Sequence, residues 1–181
     1  MRAVASVTAG GRVAIEIHTM GEYWRDDRGE RTELGDLVQA AKGRADPGVL
    51  PELEQRVVVW IARFAVADDA LLVAVPPSPD RPSPVLDELY RRVAVRAGLA
   101  TTSTVVRHNG TARLRDLEPA ERPAVAQAAG YEVLDGCVGR AILLIDDVVL
   151  TGTTLRHVGA LLLDAGAASV VGLALARSRR G

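Results

Sequence analysis

The stretch Arg140-Ala-Ile-Leu-Leu-Ile-Asp-Asp-Val-Val-Leu-Thr-Gly-Thr-Thr-Leu155 constrains the chain more than any other. Residues 141–145 are a continuous apolar run of strand length, without the alternation of a half-exposed strand. Such a run belongs in a central parallel strand covered on both faces. Two carboxylates, Asp146 and Asp147, follow at its carboxyl end, the edge at which open α/β sheets bind ligands. Beyond Thr151-Gly152-Thr153-Thr154, Leu155, Val158, Leu162 and Ala165 recur at helical spacing, and Gly166 is placed to stop the helix. The spacing predicts a helix from about Thr154. Its first unpaired N–H groups, the threonine hydroxyls and the Gly152 backbone suit an anionic phosphate, which the helix dipole also favours. Strands ending in two aspartates before a threonine-rich helix start also occur without such a site, so chemistry alone leaves both readings open.

With 181 residues and 48% hydrophobic content, the chain can bury one sizeable core, and at 3% aromatic residues that core must be aliphatic. Lys and Arg number 22 against 23 Asp and Glu, a balance that gives no support to a nucleic-acid-binding surface or a basic membrane face. One cysteine, Cys137, excludes an intramolecular disulfide and a cysteine-rich zinc site. No apolar run approaches membrane-spanning length and the first residues lack the apolar core of a signal peptide, so a soluble, cytoplasmic protein is expected.

Residues 2–8 and 12–18 alternate apolar and polar side chains around Ala9-Gly10-Gly11, which reads as a β-hairpin. His18 is either a ligand contact or, as is commoner at a strand end, simply exposed. Tyr23 and Trp24, in a charged turn-like segment, either stack on a base or cap the hairpin. From Thr32 or Glu33 to Lys42 the pattern reads as a short helix stopped by Gly43 and Pro47. Lys42 is the only lysine in the chain. Lysine is a compact charge suited to pyrophosphate, and arginine would alter the geometry; a solvated surface role is the alternative, favoured by the usual exposure of lysine. Leu50, Leu53, Val57, Ile61 and Phe64 define an amphipathic helix starting at Pro51.

Residues 71–75 form a second apolar run, ended by Pro76-Pro77-Ser78-Pro79-Asp80-Arg81-Pro82. Prolines cannot continue a central strand, so the chain turns at the same carboxyl edge as Asp146. Ser83 as N-cap and Pro84 at the first position begin a helix with Val85, Leu89 and Val93 inward and Gly98 as its stop, completing a parallel crossover unit. Residues 102–106 read as a β-branched strand running into a basic segment with Arg107, Arg113 and Arg115. Residues 118–127 look partly helical around Pro123, 131–134 read as a strand before the Asp135-Gly136 turn, and 169–176 as a final strand before a basic tail that frays.

Four or five apolar residues, Asp-Asp, two aliphatics and then x-Thr-Gly-x-Thr resemble the phosphoribosyl-pyrophosphate (PRPP) motif of type I phosphoribosyltransferases, and the resemblance covers roughly residues 71–177. It implies an α/β fold: an open, mainly parallel sheet flanked by helices, with a small N-terminal hairpin and helical hood. Residues 1–66 would be the hood, within the same domain, and residues 67–181 the core. By the same resemblance Asp146 and Asp147 would hold the ribose 2′- and 3′-hydroxyls, and Leu150, Thr151, Gly152, Thr153 and Thr154 would cradle the 5′-phosphate. Leu150 stands where a small or hydroxyl residue is usual, which leaves its backbone N–H available.

By the same resemblance residues 76–81 would be the loop that binds pyrophosphate. Pro77 would line it, Ser78, Asp80 and Arg81 would supply N–H donors, and the Arg81 side chain and Lys42 would add charge; a proline-rich turn is the alternative. A loop carrying Arg107, Arg113 and Arg115 would close over the leaving pyrophosphate and exclude water, although singly each arginine is more often a solvated surface group. The spaced set Arg107, Thr111, Leu117, Glu121 and Arg122, with Lys42 after an apolar helix, looks closest to the ComF-type branch. That branch's zinc-binding cysteines are absent, Leu114 and Val125 replace its usual Gln and Asn, and its Arg-Gly-x-Asn-Gln stretch has no counterpart in residues 83–91.

The implied activity is displacement of pyrophosphate from PRPP by a nitrogenous base or amine. Mg2+ would be held mostly by PRPP oxygens and water, with Asp146 and Asp147 as its protein neighbours. A non-catalytic PRPP- or nucleotide-binding regulator, or a competence-associated ComF-like protein, is the alternative. Type I relatives often dimerise, and neither the acceptor nor the oligomeric state is legible in this sequence.

Overall fold

A computed structural model describes residues 15–25, 29–63, 70–78, 81–107 and 130–179. Strand β1 (Glu16–Glu22) is followed by helix α1 (Glu33–Gly43), a 3-10 turn (Pro47–Val49) and helix α2 (Leu50–Ile61). Then come β2 (Leu71–Ala74), α3 (Pro84–Ala97), β3 (Ala100–Thr101), β4 (Val105–Arg107), β5 (Tyr131–Val133), β6 (Ala141–Val149), α4 (Thr153–Asp164) and β7 (Ser169–Arg177). Five strands make one parallel sheet in the order β1-β7-β6-β2-β3, and β4 pairs antiparallel with β5 in a separate ribbon. This is the open, parallel α/β architecture expected from the two apolar runs.

Successive strand residues face opposite sides of a sheet, so a run without a polar member needs cover on both. Leu72, Leu143, Ile145, Leu173 and Leu175 pack on one side with Val38 of α1, Leu53 and Val57 of α2, and Leu89 and Val93 of α3. Leu71, Val73, Ile142 and Leu144 pack on the other with Leu155, Val158 and Leu162 of α4 and Val105 of the ribbon. Glu54 of α2, itself buried, pairs with Arg96 of α3 at 3.0 Å and so ties two of the covering helices together.

The first arm and turn of the expected N-terminal hairpin lie outside the described residues. The second arm ends in β1, which is an edge strand of the main sheet, in parallel register with β7 from Glu16↔Val171 to Glu22↔Arg177. In their described parts, residues 1–66 and 67–181 therefore share one sheet and one core. His18, expected to be exposed, is buried on β1 with its Nε2 3.1 Å from Glu16. A position that reads as a strand end is interior because β1 runs on to Glu22. The expected strand over residues 102–106 is broken: the chain leaves β2 after Thr101 and re-pairs with β5 from Val105. Buried Thr104 makes the switch, its hydroxyl donating to the Asp135 carbonyl at 2.8 Å and its carbonyl accepting from the Leu134 N–H at 2.6 Å.

Helix α2 takes in Leu50 as well as Pro51, and Phe64 lies outside the described residues. Helix α3 starts at Pro84 and ends at Gly98, which adopts the left-handed conformation (φ 69°). Ser83 occupies its N-cap position, but the hydroxyl makes no capping bond.

Thr32 fastens α1 to the end of β1. Its hydroxyl donates to the Glu22 carbonyl at 2.6 Å and accepts from the Gly35 N–H at 2.9 Å, the usual N-cap bond. Thr32→Ala is expected to lower unfolding free energy by about 1–2 kcal/mol in urea denaturation, the combined loss of a cap and a second hydrogen bond. Thr32→Ser should recover most of it. An unchanged midpoint in the alanine variant would remove this anchor from the account.

Candidate functional site

The sheet steps down at the end of β6. β6 has both neighbours up to Ile145, which pairs with Ala74 of β2 and Leu173 of β7. One more bond, from the Val75 N–H to the Ile145 carbonyl at 2.8 Å, ends the contact with β2 before the prolines. β6 then continues to Val149 on β7 alone, with Asp146↔Ala174 and Val148↔Ala176 in register. The strand was expected to stop at Ile145. It runs four residues farther because β7 keeps pairing, so Asp146 and Asp147 lie inside the strand, beside the place vacated by β2.

Both carboxylates are oriented by the backbone. Asp146 Oδ1 accepts from the Asp147 N–H at 2.9 Å, and Asp147 Oδ1 from the Val148 N–H. The remaining oxygen of Asp147 meets the Lys42 ammonium at 2.6 Å. Asp147 is nearly covered (12% exposed) whereas Lys42 is half exposed (51%). α1 thus ends over the acidic pair and puts its last-turn lysine against Asp147, with the ammonium still half in solvent.

Tyr90 was not anticipated. It is buried on the face of α3 that also carries Leu86, Leu89 and Val93. Burial first, then the charges of Asp147, Asp146 and Asp87, raise its phenol well above the ordinary range, so it stays protonated beside the carboxylates. The signal was present in the helical spacing Leu86–Tyr90–Val93, but nothing in the sequence indicates that this stripe brings a phenol within reach of the charges of Asp146 and Asp147.

After β6, Leu150 and Thr151 lead into Gly152, which adopts the left-handed conformation (φ 76°, ψ 11°) and caps α4. A Cβ at Gly152 would also lie 2.8 Å from Ile17 Cδ1, so this bend admits no side chain without strain. The helix begins at Thr153, one residue before the expected start. The hydroxyls of Thr151 and Thr153 lie 2.8 Å apart, with Thr151 exposed. The first turn of an α-helix leaves N–H groups without intrahelical acceptors, so the bend beyond Asp147 combines N–H donors, two hydroxyls and a helix N-terminus.

Other expected site residues are more scattered. Pro77 and Ser78 follow β2 at the same edge, and Arg81 is exposed. The Arg81 N–H, expected to be a ligand donor, is taken by the Ser78 carbonyl at 2.7 Å and closes the turn. Asp80 lies outside the described residues, as do Arg113 and Arg115. Arg107 is the last residue of β4, paired with Tyr131, and its side chain lies outside the described part of the structure.

Tyr23 offers no stacking face. It is buried, its hydroxyl donates to Gln39 at 2.7 Å, and its ring meets Trp24 edge-on at 4.9 Å. Trp24 donates from Nε1 to the Ser178 hydroxyl at 3.0 Å, and the Arg31 guanidinium lies over both rings. The pair closes the core between the ends of β1, β7 and α1.

Among the described residues no three His, Cys, Asp or Glu side chains group as a metal site, and no helix is long and apolar enough to cross a membrane. No protein-family model matches the sequence, and no curated protein matches it. Solved structures similar to the chain include a hypoxanthine phosphoribosyltransferase from Staphylococcus aureus (14% identity over 71% of this chain and 62% of that one, TM-score 0.47). Another is a phosphoribosylpyrophosphate synthetase from Mycobacterium smegmatis (16% identity over 69% of this chain and 33% of that one, TM-score 0.45). A third is a hypoxanthine phosphoribosyltransferase from Trypanosoma cruzi (12% identity over 81% of this chain and 67% of that one, TM-score 0.45). The chain thus spans less than two thirds of the length of the first two.

Proposed function

We propose that this chain binds PRPP and transfers its phosphoribosyl group to a nitrogenous base or amine. The observation that carries the reading is the placement of Asp146 and Asp147 where the sheet loses a strand, next to the left-handed Gly152 bend and the start of α4. Two carboxylates with fixed oxygens suit a ribose diol, and the bend suits the 5′-phosphate four to six residues on. The Lys42 ammonium, 2.6 Å from Asp147, would supply a cation for the leaving pyrophosphate.

In the reaction the C1–oxygen bond to pyrophosphate breaks, with the electron pair leaving on pyrophosphate. A nitrogen lone pair forms the new bond to C1, and the acceptor gives up a proton. The anionic pair would fix the sugar and stabilise the positive charge developing on its ring. Mg2+ prefers oxygen ligands and keeps waters, so Asp146 and Asp147, together with PRPP oxygens, are a fitting donor set. When bound it would neutralise charge on the leaving group. Residues 1–66 would form the hood over the acceptor, and a cytoplasmic setting and a homodimer belong to the same proposal.

A second reading, a PRPP-binding regulator without turnover, is favoured by residues 83–91, which lack the Arg-Gly-x-Asn-Gln stretch and form an ordinary helix start. Titration calorimetry with PRPP and Mg2+, followed by pyrophosphate release across a panel of bases and amines, separates the two. Release with any acceptor supports the transferase. Binding without release for every acceptor supports the regulator, and absence of PRPP binding overturns both.

A further inference from the structure

Arg156 has no part in the site as described so far, yet its side chain reaches back over the bend from which α4 starts. Its Nη1 donates to the Thr151 carbonyl at 2.7 Å, and a Cβ built on Gly152 would lie 3.4 Å from the same nitrogen. The Arg156 N–H makes the first helical bond of α4, to the Gly152 carbonyl at 3.0 Å. A cation in the first turn works against the helix dipole. Helices α1, α2 and α3 carry Glu33 and Asp36, Glu52, and Asp87 in their first turns, whereas α4 has no acidic residue there. Arg156 is exposed, so burial does not hold its guanidinium in place. What holds it is the carbonyl of the residue before Gly152.

That contact sets the direction of a donor. The Thr151–Gly152 peptide is trans, and a planar trans peptide points its carbonyl and the following N–H to opposite sides of the chain. Drawing the Thr151 oxygen to Arg156 therefore turns the Gly152 N–H away from the guanidinium. Because Gly152 lacks a Cβ, this peptide plane can flip more readily than its neighbours, and a flip would put a carbonyl oxygen where the N–H stood. An anion on that side would then meet repulsion in place of a hydrogen bond.

We infer that Arg156 is a positioning residue for the sugar 5′-phosphate: its bond to the Thr151 carbonyl keeps that oxygen turned away from the bend and the Gly152 N–H turned into it. The inference rests on the phosphoribosyl reading above and names a residue which that reading does not contain.

The test compares ribose 5-phosphate, PRPP with Mg2+, and pyrophosphate with Mg2+ as calorimetric ligands of the full chain. Arg156→Ala should weaken ribose 5-phosphate and PRPP about tenfold, the usual worth of one charge-assisted hydrogen bond, and leave pyrophosphate unchanged. Arg156→Gln, which keeps a donor without the charge, should recover part of the loss; a contribution limited to helix stability would be recovered by neither donor nor charge in this ligand-selective way. At saturating ribose 5-phosphate the Gly152 amide resonance should shift in the wild-type protein and shift less in Arg156→Ala. Wild-type affinity of the alanine variant for ribose 5-phosphate, or an equal loss for pyrophosphate, overturns the inference while leaving the phosphoribosyl reading intact. Failure of the wild-type protein to bind ribose 5-phosphate and PRPP overturns both.

Discussion

Asp147→Asn is expected to weaken PRPP binding about ten- to a hundredfold, corresponding to the loss of a charge-assisted contact worth about 1–3 kcal/mol. The substitution is nearly isosteric and keeps the Oδ1 acceptor that receives the Val148 N–H, so the local backbone of β6 should persist. What changes is the second oxygen. It becomes an amide facing the Lys42 ammonium at a position now 2.6 Å away, donor against donor. Lys42 is half exposed and can turn into water, so the folded state loses a pair of the partly exposed kind, worth under about 1 kcal/mol. Binding and stability should therefore separate: a large rise in Kd by calorimetry, with a urea midpoint close to wild type. Unchanged PRPP affinity would remove Asp147 from the site, and a collapse of the midpoint would make the carboxylate a structural group instead.

How much of this was legible follows from how local each signal is. The β6–bend–α4 unit is written in contiguous residues: an apolar run, two acids, a glycine flanked by hydroxyls, then Leu155, Val158 and Leu162 at helical spacing. The apolar run 71–75 and the prolines after it likewise place β2 and its end correctly, because proline cannot extend a central strand. The strand beyond Ile145 was not legible, since two acidic residues interrupt the apolar run and the strand continues through them by pairing with β7 alone. Lys42 at Asp147 joins residues far apart in the chain, and a single lysine on a polar helix end carries no sign of its partner. Tyr90 was passed over, because the inward set read from the spacing of this helix was Val85, Leu89 and Val93, and it packs in the same core as they do. Tyr23 and Trp24 drew notice by rarity, yet they are spent on closing the core at the carboxyl edge, because aromatic rings offer the largest area for that purpose. In each case the missing information was which element lies opposite, a matter of tertiary packing.

The same packing makes one glycine a sharp test of how α1 is set over the site. In an isolated helix, Gly→Ala adds about 1 kcal/mol of stability by restricting the unfolded chain. Gly35→Ala is expected to do the reverse and cost about 3 kcal/mol or more, the upper range of overpacking against an unyielding neighbour. A Cβ at residue 35 would come 2.1 Å from the Tyr23 carbonyl oxygen and 3.0 Å from its carbon. Those atoms cannot step aside cheaply. The Tyr23 N–H is bound to the Arg177 carbonyl at 2.8 Å, its carbonyl accepts from the Thr32 N–H at 3.1 Å, and its side chain is buried with the hydroxyl on Gln39. Relief therefore requires α1 to lift from the ends of β1 and β7, breaking the Thr32 cap at one end and drawing Lys42 off Asp147 at the other. The variant should unfold at markedly lower urea, and whatever remains folded at low temperature should bind PRPP less tightly than wild type. Gly35→Ala with wild-type or higher stability would show that α1 does not sit against the Tyr23 carbonyl, and the placement of Lys42 over the acidic pair would fall with it.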